Sequence, residues 1–178
     1  MIRRVLTVFL AVVWTAVSAF AVEEGAPAPP FRAASTAGGP LSLGDFSGSW
    51  LVLFFYPKSF TPGCTAQSCS LRDGYAAIAE QGAKILGVST DSLETQQRFK
   101  AEHRLPFDLL ADPDGQVARA YGVSGLFGKF ARRVTFIISP DGRVARVIED
   151  VQTGSHDRQV LDALRLAQQT FQASTPAQ

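Results

Sequence analysis

The sequence predicts an α/β domain: a mixed central β-sheet flanked by helices. Three observations carry that prediction. Residues 50–56 (WLVLFFY) and 83–91 (AKILGVSTD) are the apolar runs that a central strand buried on both faces requires. The first run is followed by a stretch with three- and four-residue apolar spacing, the period of a helix, and the second by the spacing of a helix-start capping box. Residues 133–139 and 143–149 then flank Pro140-Asp141-Gly142 as a hairpin.

The chain opens on Arg3 and Arg4, an apolar run over residues 5–22, and Ala19-Phe20-Ala21 at its end. This basic, apolar and small-residue layout is that of a secretory signal peptide cleaved after Ala21. About 18 apolar residues also just span a bilayer, so an uncleaved membrane anchor is the alternative. Both readings point to export, periplasmic in a bacterium. Cleavage leaves 178 − 21 = 157 residues, enough to bury one core as one domain. It removes two of the 17 basic residues and none of the 16 acidic ones, leaving 15 against 16. Such a balance gives nucleic acid or anionic lipid no broad attraction, so the expected partners are small molecules or proteins.

Residues 22–37 read as a linker and ragged start, and residues 38–172 as the folded domain. Gly38-Gly39-Pro40 turns the chain into a short strand at Leu41-Ser42-Leu43. The buried strand over 50–56 stops at Pro57. After a loop, residues 64–81 read as a helix, with Leu71, Tyr75, Ile78 and Ala79 on one face and Gly82 as its stop. The second buried strand leads into Asp91-Ser92-Leu93-Glu94, which has the spacing of a capping box for a helix reaching about Arg104. Leu105-Pro106 breaks that helix. A short strand over 107–110, the turn Asp112-Pro113-Asp114-Gly115 and a short helix near 117–121 follow, and then the hairpin. Ser155 reads as the cap of a last helix that keeps Val160, Leu161, Leu164, Ala167 and Phe171 on one face, and residues 173–178 as a disordered tail. This order is that of a thioredoxin-like sandwich, although order alone leaves other α/β folds open.

The chain's two cysteines, Cys64 and Cys69, stand only five residues apart. A disulfide over so short a loop removes little unfolded-chain entropy, so the pair has a chemical rather than a stabilising purpose. Cys64 is delivered from the end of a buried strand to the start of a helix. There, unpaired N–H groups and a partial positive charge favour a thiolate over its thiol. The thiolate is the nucleophile, which makes Cys64 the candidate. Cys69 lies about one and a half turns further on, beyond those N–H groups, and reads as its partner.

Pro57-x-x-x-Thr61-x-x-Cys64 resembles the active-site pattern of the peroxiredoxin family, and the second cysteine at Cys69 resembles its bacterioferritin-comigratory, or Q-type, branch. The resemblance runs from the 41–46 lead-in through Leu105-Pro106-Phe107 and Asp112-Pro113-Asp114-Gly115 to Arg133-Val134-Thr135-Phe136. It implies a thioredoxin fold with thiol peroxidase activity on hydrogen peroxide and organic hydroperoxides. By motif position, Cys64 becomes the sulfenic acid, Thr61 hydrogen-bonds the peroxide and the thiolate, Pro57 shields the pocket and Arg133 holds the thiolate. Cys69 then closes an intramolecular disulfide that a thioredoxin-like dithiol protein reduces. The resemblance also implies a monomer. Gln67 departs from the glutamate that many relatives carry there. Five residues of helix separate two Cα atoms by roughly 9 Å, whereas a disulfide needs about 4.4 to 6.8 Å. If residues 64–69 are helical when reduced, that turn must therefore unwind before the disulfide closes.

Two rivals stay open on the residues alone. A thiol-disulfide oxidoreductase would normally show Cys-x-x-Cys, which is absent. A copper-binding module would use the two thiols and a histidine, but His103 and His156 sit at helix ends where exposed, unliganded histidine is expected, and no metal-ligand spacing emerges. No phosphate-cradling or dinucleotide motif is present, so no cofactor is expected. Leu126-Phe127-Gly128-Lys129-Phe130 reads as loop packing, with a wall of the peroxide pocket or a surface that receives a reductant as the alternatives.

Overall fold

The computed structural model describes residues 22–174. The signal-peptide reading of residues 1–21 and the tail reading of residues 175–178 lie outside the described residues. In chain order the elements are β1 (Arg32–Ser35), β2 (Pro40–Ser42), β3 (Trp50–Phe55), α1 (Pro62–Asp73), α2 (Tyr75–Glu80), β4 (Ala83–Ser89), α3 (Leu93–His103), β5 (Asp108–Ala111), α4 (Gln116–Ala120), β6 (Val134–Ile138), β7 (Val144–Ile148) and α5 (His156–Ser174). The strands form one mixed sheet in the order β2-β1-β5-β4-β3-β6-β7. β3, β4 and β5 run parallel, joined by helical crossovers, while β6 pairs antiparallel with β3 and opens the hairpin to β7. This is a thioredoxin-like α/β sandwich.

β3 shows why the sheet is covered on both faces. Successive side chains point to opposite sides, and all six residues of β3 are buried. Leu51, Leu53 and Phe55 join Leu86, Val88, Phe136 and Ile138 beneath Val117, Ala118 and Tyr121 of the α4 region. Trp50, Val52, Phe54 and Tyr56 join Ile85, Leu109 and Ile137 beneath Leu71, Ile78, Phe99, Val160 and Leu164 of α1, α2, α3 and α5. Cys64 belongs to this second cluster. The core therefore fixes the start of α1 against the sheet just beyond the end of β3.

The structure corrects the sequence reading at several points. The supposed ragged start carries β1, which pairs with both β2 and β5, and it buries Ala28 and Phe31. Upstream of it, Gly25 N–H donates to Val144 O at 2.7 Å and Val144 N–H to Ala26 O at 2.9 Å, so the fold begins well before residue 38. The helix read over residues 64–81 is two helices, α1 and α2, divided at Gly74. An added Cβ at Gly74 would stand 2.5 Å from Asp157 Cβ, so the close approach of α5 requires glycine at this junction. In α3 it is Ser92 that caps, accepting from Thr95 N–H at 3.2 Å; Asp91 instead accepts from Ser59 N–H and Ser89 Oγ, each at 2.7 Å. Ser155 lies in a 3-10 turn, Thr153–Ser155, and α5 starts after it and runs through Ser174, two residues past the expected end. No helix among the described residues is long and apolar enough to cross a membrane.

Candidate active site

The β3 ladder ends with Tyr56 N–H donating to Val88 O at 3.1 Å. Pro57, half-buried and without an N–H, stops the strand there. The following loop is pinned where Asp91 accepts from Ser59 N–H. Phe60 takes a left-handed conformation, φ 64°, with its ring 5.2 Å from that of Phe99 and the Arg98 guanidinium 5.6 Å above it. Thr61 occupies the N-cap position of α1 with extended backbone, and Pro62 follows at the first helical position, where its missing N–H costs nothing. The Thr61 hydroxyl donates to Lys58 O at 2.9 Å rather than capping the helix.

The first intrahelical bond of α1 runs from Thr65 N–H to Thr61 O at 2.9 Å. The N–H groups of Gly63 and Cys64 therefore have no acceptor within the helix. Cys64 itself is 1% exposed. Arg133, immediately before β6, reaches across this first turn. Its Nη2 donates to Cys64 Sγ at 3.3 Å and its Nη1 to Gln67 Oε1. Arg132 points the other way, exposed, donating to Gly122 O at 3.0 Å. The alternation of an extended chain thus selects Arg133 for the site. Gly63 completes the arrangement, because an added Cβ would lie 3.3 Å from Arg133 Nη2.

Cys69 lies on the same continuous helix, half-buried, and both thiols are free. Residues 64–69 are helical in this state, which satisfies the condition stated above for unwinding. The structure brings Cys64 and Arg133 into contact, with Thr61 at the helix cap and Pro57 at the strand end; Cys69 stands apart along the helix. Gln67, which the sequence offered only as a departure, is fully buried and orients the guanidinium, while its own Nε2 finds no partner in the protein.

His156 corrects another expectation, since it is 0% exposed rather than at the surface. Gln159 turns its amide nitrogen to Asp150 O at 2.9 Å, and its oxygen accepts from His156 Nδ1–H at 3.2 Å. His156 Nε2 then accepts from the Thr135 hydroxyl at 2.9 Å. Burial pushes the imidazole down to about 4, and the Arg133 guanidinium pushes in the same direction. A sequence signal existed: His156 stands four and eight residues before Val160 and Leu164, on the face that α5 buries. The segment from Leu126 to Phe130 holds a 3-10 turn in which Phe127, at φ 58°, is 87% exposed, so it does not pack as loop core. Among the described residues no group of three or more His, Cys, Asp or Glu side chains converges as a metal site.

Comparison with known proteins shows the family. Residues 25–147 match the AhpC/TSA family. The chain is 38% identical over 150 residues to peroxiredoxin Bcp of Escherichia coli strain K12, covering 81% of this chain and 96% of that one. Among solved structures, peroxidoxin BcpB of Mycobacterium tuberculosis is 36% identical with a TM-score of 0.75, covering 82% and 97% of the two chains. The bacterioferritin comigratory protein of Xanthomonas campestris, whose complex structures give insights into its alkyl peroxide reduction activity, is 34% identical with a TM-score of 0.71 over 76% and 90%.

Proposed function

The chain belongs to the AhpC/TSA family and is a thiol-dependent peroxidase of the Bcp and peroxiredoxin Q kind, and we propose that Cys64 attacks the peroxide and Cys69 resolves the product. The observation that carries this reading is the contact of Arg133 Nη2 with Cys64 Sγ at the first turn of α1. A Cys64 thiolate donates an electron pair to one peroxide oxygen, forming an S–O bond as the O–O bond breaks. The second oxygen leaves as alkoxide or hydroxide and takes a proton. Charge grows on that leaving oxygen, where the guanidinium, the free N–H groups of α1 and the Thr61 hydroxyl, turned from Lys58 O, stabilise it. Pro57 closes the pocket beside them. The sulfur has lost two electrons and is a sulfenic acid.

Cys69 then displaces water from that sulfur, forming the disulfide once the first turns of α1 unwind. A thioredoxin-like dithiol protein returns two electrons by thiol exchange. Hydrogen peroxide and alkyl hydroperoxides are the substrates, in keeping with the activity named for the Xanthomonas campestris relative. Export rests on the layout of residues 1–21; a mature protein whose intact mass still included those residues would refute cleavage.

Peroxide consumption by wild type, Cys64→Ser and Cys69→Ser, with trapping of the sulfenic acid, tests the assignment. Cys64→Ser should lose turnover, and Cys69→Ser should consume one equivalent of peroxide and accumulate trappable sulfenic acid. Retained turnover in Cys64→Ser would overturn it.

A further inference from the structure

α1 is held to the protein very unevenly along its length. In its first two turns the buried residues are Cys64, Gln67 and Ser68, and Gln67 Nε2 and Ser68 Oγ have no hydrogen-bond partner in the protein. Burying such groups unpaired costs free energy that unwinding returns. Beyond Cys69 the attachment changes. Ser70, 8% exposed, donates from Oγ to Asp157 Oδ1 at 2.7 Å, and Asp157 N–H donates back to Ser70 Oγ at 3.0 Å. Leu71 is fully buried in the core, and Arg72 Nη1 donates to His103 O at 3.0 Å. Gly74 lies flat against Asp157 Cβ. Up to Cys69 the helix is held by burial of Cys64 and by the Arg133 hydrogen bonds to Cys64 and Gln67, which the departure of Cys64 breaks, whereas the ties to α5 and to His103 O begin one residue later and do not involve Cys64.

We propose that Ser70 and Asp157 are positioning residues for the resolving step: they stop the unwinding of α1 at residue 69 and hold Cys69 in place while Cys64 swings to it. This rests on the reading that Cys64 is oxidised and Cys69 resolves it. With Ser70 anchored to the start of α5, the shortening from roughly 9 Å to disulfide distance falls on the Cys64 side. Cys64 therefore leaves the Arg133 guanidinium as the bond closes. A thiol held at the end of a fixed segment attacks at a higher effective concentration than one on a longer free loop.

The test compares Ser70→Ala, Asp157→Ala and Asp157→Asn with wild type, each shown to be folded by its thermal transition. After a pulse of hydrogen peroxide, stopped-flow fluorescence resolves Cys64 oxidation from disulfide closure, and hydrogen exchange maps the disulfide form. In wild type, residues 65–69 should lose protection on oxidation and residues 71–74 should keep it. In Ser70→Ala and Asp157→Ala the loss should extend through residue 74. Disulfide closure should slow by about three- to tenfold at an unchanged rate of Cys64 oxidation. Asp157→Asn, which keeps an acceptor for Ser70, should restore both readouts. Equal closure rates and an unmoved exchange boundary in Ser70→Ala would overturn the positioning role alone. Failure of wild type to form the disulfide between Cys64 and Cys69 would remove the underlying reading and this role with it.

Discussion

Arg133 divides its terminal nitrogens between the Cys64 sulfur, at 3.3 Å, and the amide oxygen of Gln67. The fork is rigid and planar, so fixing one tine on Gln67 fixes the other on Cys64. Lysine offers a single point charge and cannot make both contacts at once. Arg133→Lys should therefore slow Cys64 oxidation by about 100-fold, in line with the loss of one preorganised donor, when oxidation is followed under single-turnover conditions. Gly63 has a less obvious part. Its backbone φ is ordinary, and what it supplies is the space taken by Arg133 Nη2, 3.3 Å from where a Cβ would sit. Alanine favours a helix over glycine by up to about 1 kcal/mol, so Gly63→Ala should be at least as resistant to urea as wild type. It should nonetheless oxidise about tenfold more slowly, because the guanidinium must shift off the sulfur. A stable variant with an unchanged oxidation rate would show that the guanidinium gives way freely.

The elements differ in how plainly the sequence announced them. β3, β4 and the β6–β7 hairpin were legible because a strand buried on both faces is a continuous apolar run, and a tight turn has its own residues. β1 was not, since Arg32-Ala33-Ala34-Ser35 has little apolar content and becomes a strand only because β5 and β2 offer it partners. At the site, Cys64, Thr61, Pro57 and Arg133 were legible as a spaced motif. Gln67, Gly63 and the tie of Ser70 to Asp157 depend on contacts across 66 to 87 residues, which no local pattern encodes, whereas His156 carried a local signal in its spacing from Val160 and Leu164. The division of α1 from α2 is of the same kind: Gly74 suits a continuous helix poorly, but what demands it is Asp157 on α5. Gly74→Ala would push α1 off the start of α5, with an overpacking cost of about 1 to 3 kcal/mol. Denaturant unfolding should show that loss as a lower midpoint at an unchanged slope. A midpoint equal to that of wild type would mean that α5 yields without strain.

At the scale of the whole molecule, His156 links the elements that flank the site, α5 and β6. It opens α5, bonds to Thr135 of β6 two residues beyond Arg133, and neighbours Asp157, which ties α5 to α1. A proton on its buried imidazole would stand near Arg133, so the folded protein keeps it neutral down to about 4, whereas the unfolded chain takes it up near the ordinary value of about 6.5. Between those values the unfolded state holds the extra proton, and stability therefore falls as pH falls. The contribution is fully present above about pH 6.5 and is lost progressively toward pH 4, in total about 3 kcal/mol. Between pH 7 and 5.5 the His156 shift alone should remove about 1 kcal/mol. Subtracting the same measurements on His156→Gln cancels whatever is common to the two proteins. The difference in unfolding free energy between wild type and His156→Gln should thus shrink by about 1 kcal/mol from pH 7 to 5.5. A difference that stayed constant over that range would show that His156 takes up its proton in the folded protein as readily as in the unfolded chain.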